Sequence, residues 1–213
     1  MARTSLTVAD LVAWTQRFRD LMVEHRAALT ELDSAIGDAD HGSNMARGMQ
    51  SAVEKLEQTA PETVGAWGKS VGMTLVSSVG GASGPLYGTF FLRFGASGGD
   101  ATELDAAALG AALRAGLEGV LARGKAEPGD KTMIDALGPA LDAFDAAVDQ
   151  GLEAAIAAAR DAAAAGRDAT EPLQARKGRA SYLGERSIGH VDPGATSTAY
   201  LFDALATATG SAA

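Results

Sequence analysis

Asp33-Ser34-Ala35-Ile36-Gly37-Asp38-Ala39-Asp40-His41-Gly42-Ser43-Asn44 is the stretch on which the reading of this chain turns. Its three carboxylates lie close together, and a helical pattern opens directly afterwards at Met45. Hard divalent cations such as Mg²⁺ or Ca²⁺ take oxygen ligands, which clustered carboxylates on a short loop supply. The helix start that follows offers unpaired backbone N–H groups, a natural seat for phosphate. Metal and phosphate side by side point to a nucleotide.

The spacing constrains the local fold. Residues five apart on a helix sit about 140° apart, so Asp33 and Asp38 cannot share one helical face. A helix that carries Asp33 in its last turn and stops at a left-handed Gly37 lets the chain curl back past Asp33. Asp38 and Asp40, two apart in an extended loop, then point the same way. An EF-hand is excluded: counted from Asp38, its glycine and glutamate positions hold Ser43 and Met49, and counted from Asp33, Asp38 and Asn44. The plain alternative is a set of solvated caps for the helix at Met45.

Outward from this loop, helical periodicity dominates. Val8, Leu11, Val12, Phe18, Leu21, Met22, Leu29 and Leu32 follow 3–4 spacing behind Thr7 as N-cap, and Met45, Met49, Val53 and Leu56 continue it. Pro61 suits the first turn of a helix through Val64, Trp67, Val71, Leu75 and Val79. Further helices are expected from Pro85 to Phe94 and, behind a Thr102/Asp105 cap, through Leu109 to a stop at Gly124. Another runs from Met133 to Leu152 with a kink at Pro139, then the alanine-rich 153–169 as a surface helix, and a last one from Pro193 to about Ala208. Strand signals are weak, 98–103 and 166–172 read as loops, and no repeat is evident. The expectation is an all-α fold of about eight helices in one domain over residues 1–213, with Trp14 and Trp67 in the core.

Composition narrows the function. A net charge of −9 argues against a broad nucleic-acid surface, and the absence of cysteine excludes thiolate chemistry. No stretch approaches the ~20 apolar residues that span a bilayer. The N-terminus lacks a signal-peptide pattern, so no membrane association and a cytoplasmic location are expected. Gln174 to His190 carries Arg176, Lys177, Arg179 and Arg186 against Glu185, a local cationic excess.

Three more glycine-marked loops break the helices. Ser77–Pro85 has small residues that let a ligand approach, with Ser83 able to donate to a phosphate oxygen. Arg123–Met133 is the second. The third spans Arg176 to Gly194, where Asp192 as N-cap and Pro193 at the first helical position define a helix start. A Walker-type loop fails, since Thr63 stands where Gly68-Lys69-Ser70 requires its first glycine, and no G-x-G-x-x-G follows a strand.

Asp38-Ala-Asp40-His41-Gly42-Ser43-Asn44-Met45, Gly80-Gly81-Ala82-Ser83-Gly84-Pro85-Leu86, Gly129-Asp130-Lys131-Thr132-Met133, and Gly178-Arg179-Ala180-Ser181-Tyr182 with His190-Val191-Asp192-Pro193-Gly194-Ala195-Thr196-Ser197 together resemble the DhaL subunits of dihydroxyacetone kinases. The motifs stand in the family's order over nearly the whole chain. The resemblance implies an antiparallel helical barrel, closed at one end, with ADP or ATP at the other. It implies two Mg²⁺ ions on Asp33, Asp38 and Asp40. It places His41, Gly42, Ser43, Asn44, Ala82, Ser83, Gly124, Met133, Arg179, Asp192, Pro193 and Gly194 around the nucleotide.

The same resemblance implies a DhaK-type subunit holding dihydroxyacetone and a DhaM-type phosphodonor that recharges ADP in place. The rivals are an ATP-dependent kinase on the same fold and a nucleotide sensor that binds a transcription regulator. From the residues alone, His41 reads as a loop-orienting residue rather than a base. His190 reads equally as structural or functional, and Lys131 and Arg179 remain open to being surface charges.

Overall fold

The computed structural model describes residues 3–210. Among them the chain is helical almost throughout, with nine α-helices where about eight were expected. They are α1 (Val8–Glu24), α2 (Arg26–Ile36), α3 (His41–Gln58), α4 (Val64–Ser78), α5 (Ser83–Gly98), α6 (Ala106–Gly124), α7 (Ile134–Ala147), α8 (Leu152–Ala169) and α9 (Pro193–Ala208). Two three-residue strands, β1 (Ser5–Thr7) and β2 (Glu103–Asp105), pair antiparallel with Leu6 opposite Leu104.

Helices α1, α3, α4, α5, α6, α7, α8 and α9 pack in that order, and α9 packs back on α1, which closes a ring. Successive staves run antiparallel, through short connections except where α2 intervenes between α1 and α3 and residues 170–192 between α8 and α9. The starts of α3, α5, α7 and α9 therefore gather at one end, the mouth, while the β-ribbon lies at the other beside the starts of α1 and α6. Helix α2 is the odd element, packing on α3, α9 and the 3₁₀ segment Arg179–Ser187.

An aromatic cluster fills the ring. Trp14 stacks on Trp67 with centroids 5.8 Å apart, and Phe91 and Phe94 meet Trp67 edge-on at 5.5 and 5.2 Å. Both indole N–H groups find acceptors, Trp14 on the Leu201 carbonyl (2.8 Å) and Trp67 on Thr15 Oγ1 (3.0 Å). Helices α4 and α5 approach through glycine. A Cβ on Gly68 would lie 2.5 Å from Gly95 Cα and 2.6 Å from the Phe91 carbonyl, so Gly68 belongs to packing and not to a phosphate loop.

Several local expectations change. The periodic run from Val8 breaks at His25, whose ring stacks on Tyr200 (4.5 Å) between α1 and α2. Pro61 precedes its helix, because Thr63 is the N-cap that accepts from Ala66 N. Asp105, not Thr102, caps α6 through Ala108 N, and its strand shortens the expected 98–103 loop. Pro139 leaves α7 continuous to Ala147, and the chain turns instead at Gly151, where φ is 106°. Helix α8 runs through 166–169 into the expected loop, and its alanine face is buried: Ala155, Ala159 and Ala163 pack the helix on α7 and α9. Small side chains permit that approach, which periodicity in an alanine tract cannot register.

Candidate functional site

Four helix starts and the segments before them line the mouth. Each start carries partial positive charge, so their convergence favours an anion.

The acidic loop forms one wall. Asp33 sits in the last turn of α2, and its Oδ2 accepts from Asp40 N (2.8 Å) and His41 N (3.1 Å). Asp33 thus caps α3 from the preceding helix, while Asp40, at the N-cap position, makes no side-chain cap bond. Gly37 is not left-handed as expected: its φ is −137°, and the turn is made by Ala39 at φ 61°. Gly37 is needed for space, since a Cβ there would collide with the Asp33 carboxylate. One oxygen each of Asp33, Asp38 and Asp40 lies within 4.8 Å of the others. Burial, and then the charges of Asp38 and Asp33, hold the Asp40 carboxyl above its usual range despite a hydrogen bond with Asn44. Arg179 Nε donates to Asp38 Oδ2 at 2.6 Å. An all-oxygen, anionic donor set suits a hard divalent cation.

Behind this wall His41 joins three elements. Its Nδ1 lies 3.1 Å from Ser83 Oγ at the start of α5 and its Nε2 2.9 Å from Ser197 Oγ on α9. Ser197 Oγ also meets the Tyr87 hydroxyl at 2.7 Å. Burial lowers the His41 pKa to about 4, against the opposing Asp33 charge, so the ring is neutral at pH 7. It serves as a cross-link, and Ser83, expected to face a phosphate, also faces His41.

The opposite wall comes from the segments before α7 and α9. Asp135 accepts from Gly129 N (2.5 Å) and Thr132 N (2.7 Å), which shapes the turn ahead of α7. Asp192 caps α9 through Ala195 N (2.7 Å), and Thr170 Oγ1 accepts from Asp192 N (2.9 Å). Burial first, with Asp135 adding, pushes the Asp192 carboxyl up to about 7 against the Ala195 hydrogen bond and Lys131. Lys131 is 1% exposed, with φ 64°, which removes it from the surface charges. Its ammonium donates to the carbonyls of Leu173 (2.9 Å), Ser187 (2.6 Å) and Glu171 (3.3 Å).

The mouth continues into an apolar slot. Ala82, Leu86, Thr132, Met133, Lys177 and Gly178 line both the carboxylate cavity and the adjoining slot, which Val120, Gly124 and Ile134 complete. One elongated ligand can therefore lie with a charged end at the carboxylates and a flat apolar end at Met133.

The structure brings most of the expected residues together. Asp33, Asp38, Asp40, His41, Ala82, Ser83, Met133, Arg179, Asp192, Pro193 and Gly194 line the carboxylate cavity, and Gly124 the slot. Gly42, Ser43 and Asn44 line neither. A Cβ on Gly42 would meet α2 at Thr30 Oγ1 (2.6 Å), Ser43 lies in a groove on the far side with Thr30 and Glu31, and Asn44 accepts from Arg47 (2.7 Å). His190 is exposed and lines neither cavity. Tyr87 escaped the sequence reading, while Leu86 and Lys131 stood there only as members of motifs and Lys177 only in a cationic run. Leu86 ends the Gly80–Leu86 motif and Tyr87 follows it directly, which was the available signal.

Fold and site define a class: an all-helical barrel whose open end sets a carboxylate cluster beside a half-apolar slot. A DAK2 domain matches residues 35–207, and the chain belongs to that family, among its DhaL subunits. It is 48% identical over 206 residues to the Escherichia coli K12 protein named PEP-dependent dihydroxyacetone kinase, ADP-binding subunit DhaL, covering 96% of this chain and 98% of that one. The PTS-dependent DhaL of Lactococcus lactis is 46% identical over 202 residues, 94% of this chain and 97% of that one. Among solved structures, the native dihydroxyacetone kinase of C. freundii superposes with a TM-score of 0.72 at 31% identity. That match covers 92% of this chain and 34% of the enzyme, so the chain spans about a third of it. The same enzyme in complex with AMP-PNP and Mg²⁺ matches with a TM-score of 0.68 at 28% identity, covering 97% of this chain and 35% of the enzyme. Among the described residues no helix is long and apolar enough to cross a membrane.

Proposed function

We propose that this chain is the nucleotide-binding subunit of a cytoplasmic dihydroxyacetone kinase, acting as one domain. In this reading ADP or ATP lies across the mouth with two Mg²⁺ ions. The phosphoryl group passes to dihydroxyacetone held by a DhaK-type subunit, and a DhaM-type phosphodonor recharges ADP in place. The observation that carries this is the shared wall: Ala82, Leu86 and Met133 border the carboxylate cavity and the apolar slot alike.

The donor set fits the metal. Three carboxylates converge, the Arg179 guanidinium pairs with Asp38 among them, and the donor atoms they offer are all oxygens. Asp33, Asp38 and Asp40 would hold the ions, which when bound neutralise charge on the phosphates. The chain's own residues then bind and orient. Helix starts at Ser83 and Pro193 face phosphate oxygens, Arg179 adds a forked cation, and Met133 and Leu86 flank the base.

The acceptor's separate location follows from what the chain lacks. It has no cysteine, the Lys131 ammonium is held by three carbonyls, and both His41 nitrogens are engaged. Among the described residues neither His41 nor Lys131 is thereby left as an anchor for a small ketone. Catalysis by this subunit is positioning and charge neutralisation.

Product formation with each component omitted in turn tests the reading. The chain with ATP and Mg²⁺ should not phosphorylate dihydroxyacetone. Adding a DhaK-type subunit should permit one turnover, and continued turnover should require DhaM. Steady turnover by the chain alone would overturn the subunit assignment, and turnover with DhaK and free ATP would make this an ATP-dependent form. No transfer in any combination, with ADP still bound, would favour a sensor that binds a transcription regulator.

A further inference from the structure

The Gly129–Met133 motif contributes Met133 to the slot, but its lysine has no part in the reading above. Lys131 is held inward by its left-handed backbone and is almost fully buried. A lysine that neither meets solvent nor pairs tightly with a carboxylate is costly to bury unless each N–H finds an acceptor. Here the acceptors are the carbonyls of Glu171 and Leu173 on one arm of a segment and Ser187 on the other.

Neighbouring bonds close the same segment at its base. Arg176 N donates to the Asp130 carbonyl (3.0 Å), Gly189 N to the Glu171 carbonyl (2.8 Å), and Ala175 N to Ser187 Oγ (2.9 Å). Between the two arms the chain is irregular. Gly178 and Gly184 have φ of 65° and 58°, and the two 3₁₀ turns of Arg179–Ser187, broken by a kink at Gly184, have one buried residue, Ser187. This poorly packed stretch carries Lys177, Gly178 and Arg179 into the mouth. Few apolar contacts hold it, so its polar clasp sets its order.

We propose that Lys131 is a positioning residue: its ammonium clasps the two arms of the 171–188 segment and so holds Arg179 at the mouth. This rests on the nucleotide reading above for its effect on binding, but not for its effect on the segment. Lys131 touches no part of the reaction itself. It acts through Arg179.

The test uses the full chain with Lys131→Met, which takes the ammonium donor from all three carbonyls and leaves Glu171 only its bond from Gly189 N, and Lys131→Gln, which keeps two N–H donors should the first fail to fold. Amide exchange at Arg176, Ile188 and Gly189 should quicken by about tenfold or more while amides of α1, α4 and α5 keep their protection. The dissociation rate of Mg·ADP should rise about tenfold in the single variant and by no further factor when the same change is made in an Arg179→Ala background. Equal loosening of the core amides would make Lys131 a general stability residue and overturn the proposal. Multiplying effects in the double variant would show that it acts other than through Arg179, with the same consequence. Should the wild type bind no ADP, the nucleotide reading fails, and the exchange pattern still decides whether Lys131 is the clasp.

Discussion

Asp33 and Asp38 stand in the same carboxylate cluster but carry different structural duties, and thermal unfolding should separate them. Asp33 is buried and accepts from two backbone N–H groups at the start of α3. Asp33→Ala removes that cap and strands both donors, which costs about 2 kcal/mol. For a chain of this length that is a fall in Tm of roughly 4–8 °C without ligand. Asp38 is exposed, and the side chain of its partner Arg179 is two-thirds exposed. An ion pair so open to water contributes about 0–1 kcal/mol. Removing it also relieves repulsion from Asp33 and Asp40, so Asp38→Ala should leave the ligand-free Tm within about 2 °C of wild type.

Ligand then inverts the comparison. Mg·ADP at a hundredfold excess over Kd should stabilise wild type by about 2.7 kcal/mol. Both variants should lose most of that shift, and ADP with EDTA should give none in any of them. Scanning calorimetry with and without Mg·ADP reads all of these values. A ligand-free Asp38→Ala protein as unstable as Asp33→Ala would refute the division of roles. A full Mg·ADP shift in Asp38→Ala would refute the metal site.

Arg179→Lys keeps the charge but loses the planar fork, so ADP affinity measured by titration calorimetry should fall about tenfold; wild-type affinity would return Arg179 to the surface charges. Asp192 has a folded pKa near 7 against an ordinary value of 3.8, so its favourable contribution is present at low pH and is lost as pH rises from about 4 through about 7. Asp192→Asn, neutral and still a cap, should therefore gain stability relative to wild type between pH 5 and 8, and parallel melting curves across that range would contradict the burial argument. Gly68→Ala should cost about 1–3 kcal/mol through collision with Gly95, whereas the exposed Lys69→Met should leave ADP binding unchanged in the same assays.

Most helices and the residue types of the site were legible in the sequence because they rest on local rules. The 3–4 spacing through Val8, Leu11 and Phe18, the Thr7 and Asp192 caps and Pro193 at a helix start depend on neighbours within a turn, and the structure keeps them. The cluster of Asp33, Asp38 and Asp40 was equally visible, since a short loop forces its carboxylates together. What the sequence could not rank was which of several permitted turns the chain would take. Pro61 and Pro139 were overread as helix markers, and Gly37 was given a conformation that Ala39 adopts instead.

Only the tertiary structure decided the duties that span long separations. Asp33 is a cap as well as a ligand candidate because α2 ends against α3. His41 is a cross-link because Ser83 and Ser197 arrive from α5 and α9, far away in the chain. Lys131 is buried because its left-handed backbone aims it at carbonyls that another segment leaves open. Gly42 faces α2 rather than the mouth because a helix start has two sides, and a motif does not say which one meets the ligand. Local sequence sets which chemistry is available; closure of the ring sets which groups are left to face the mouth.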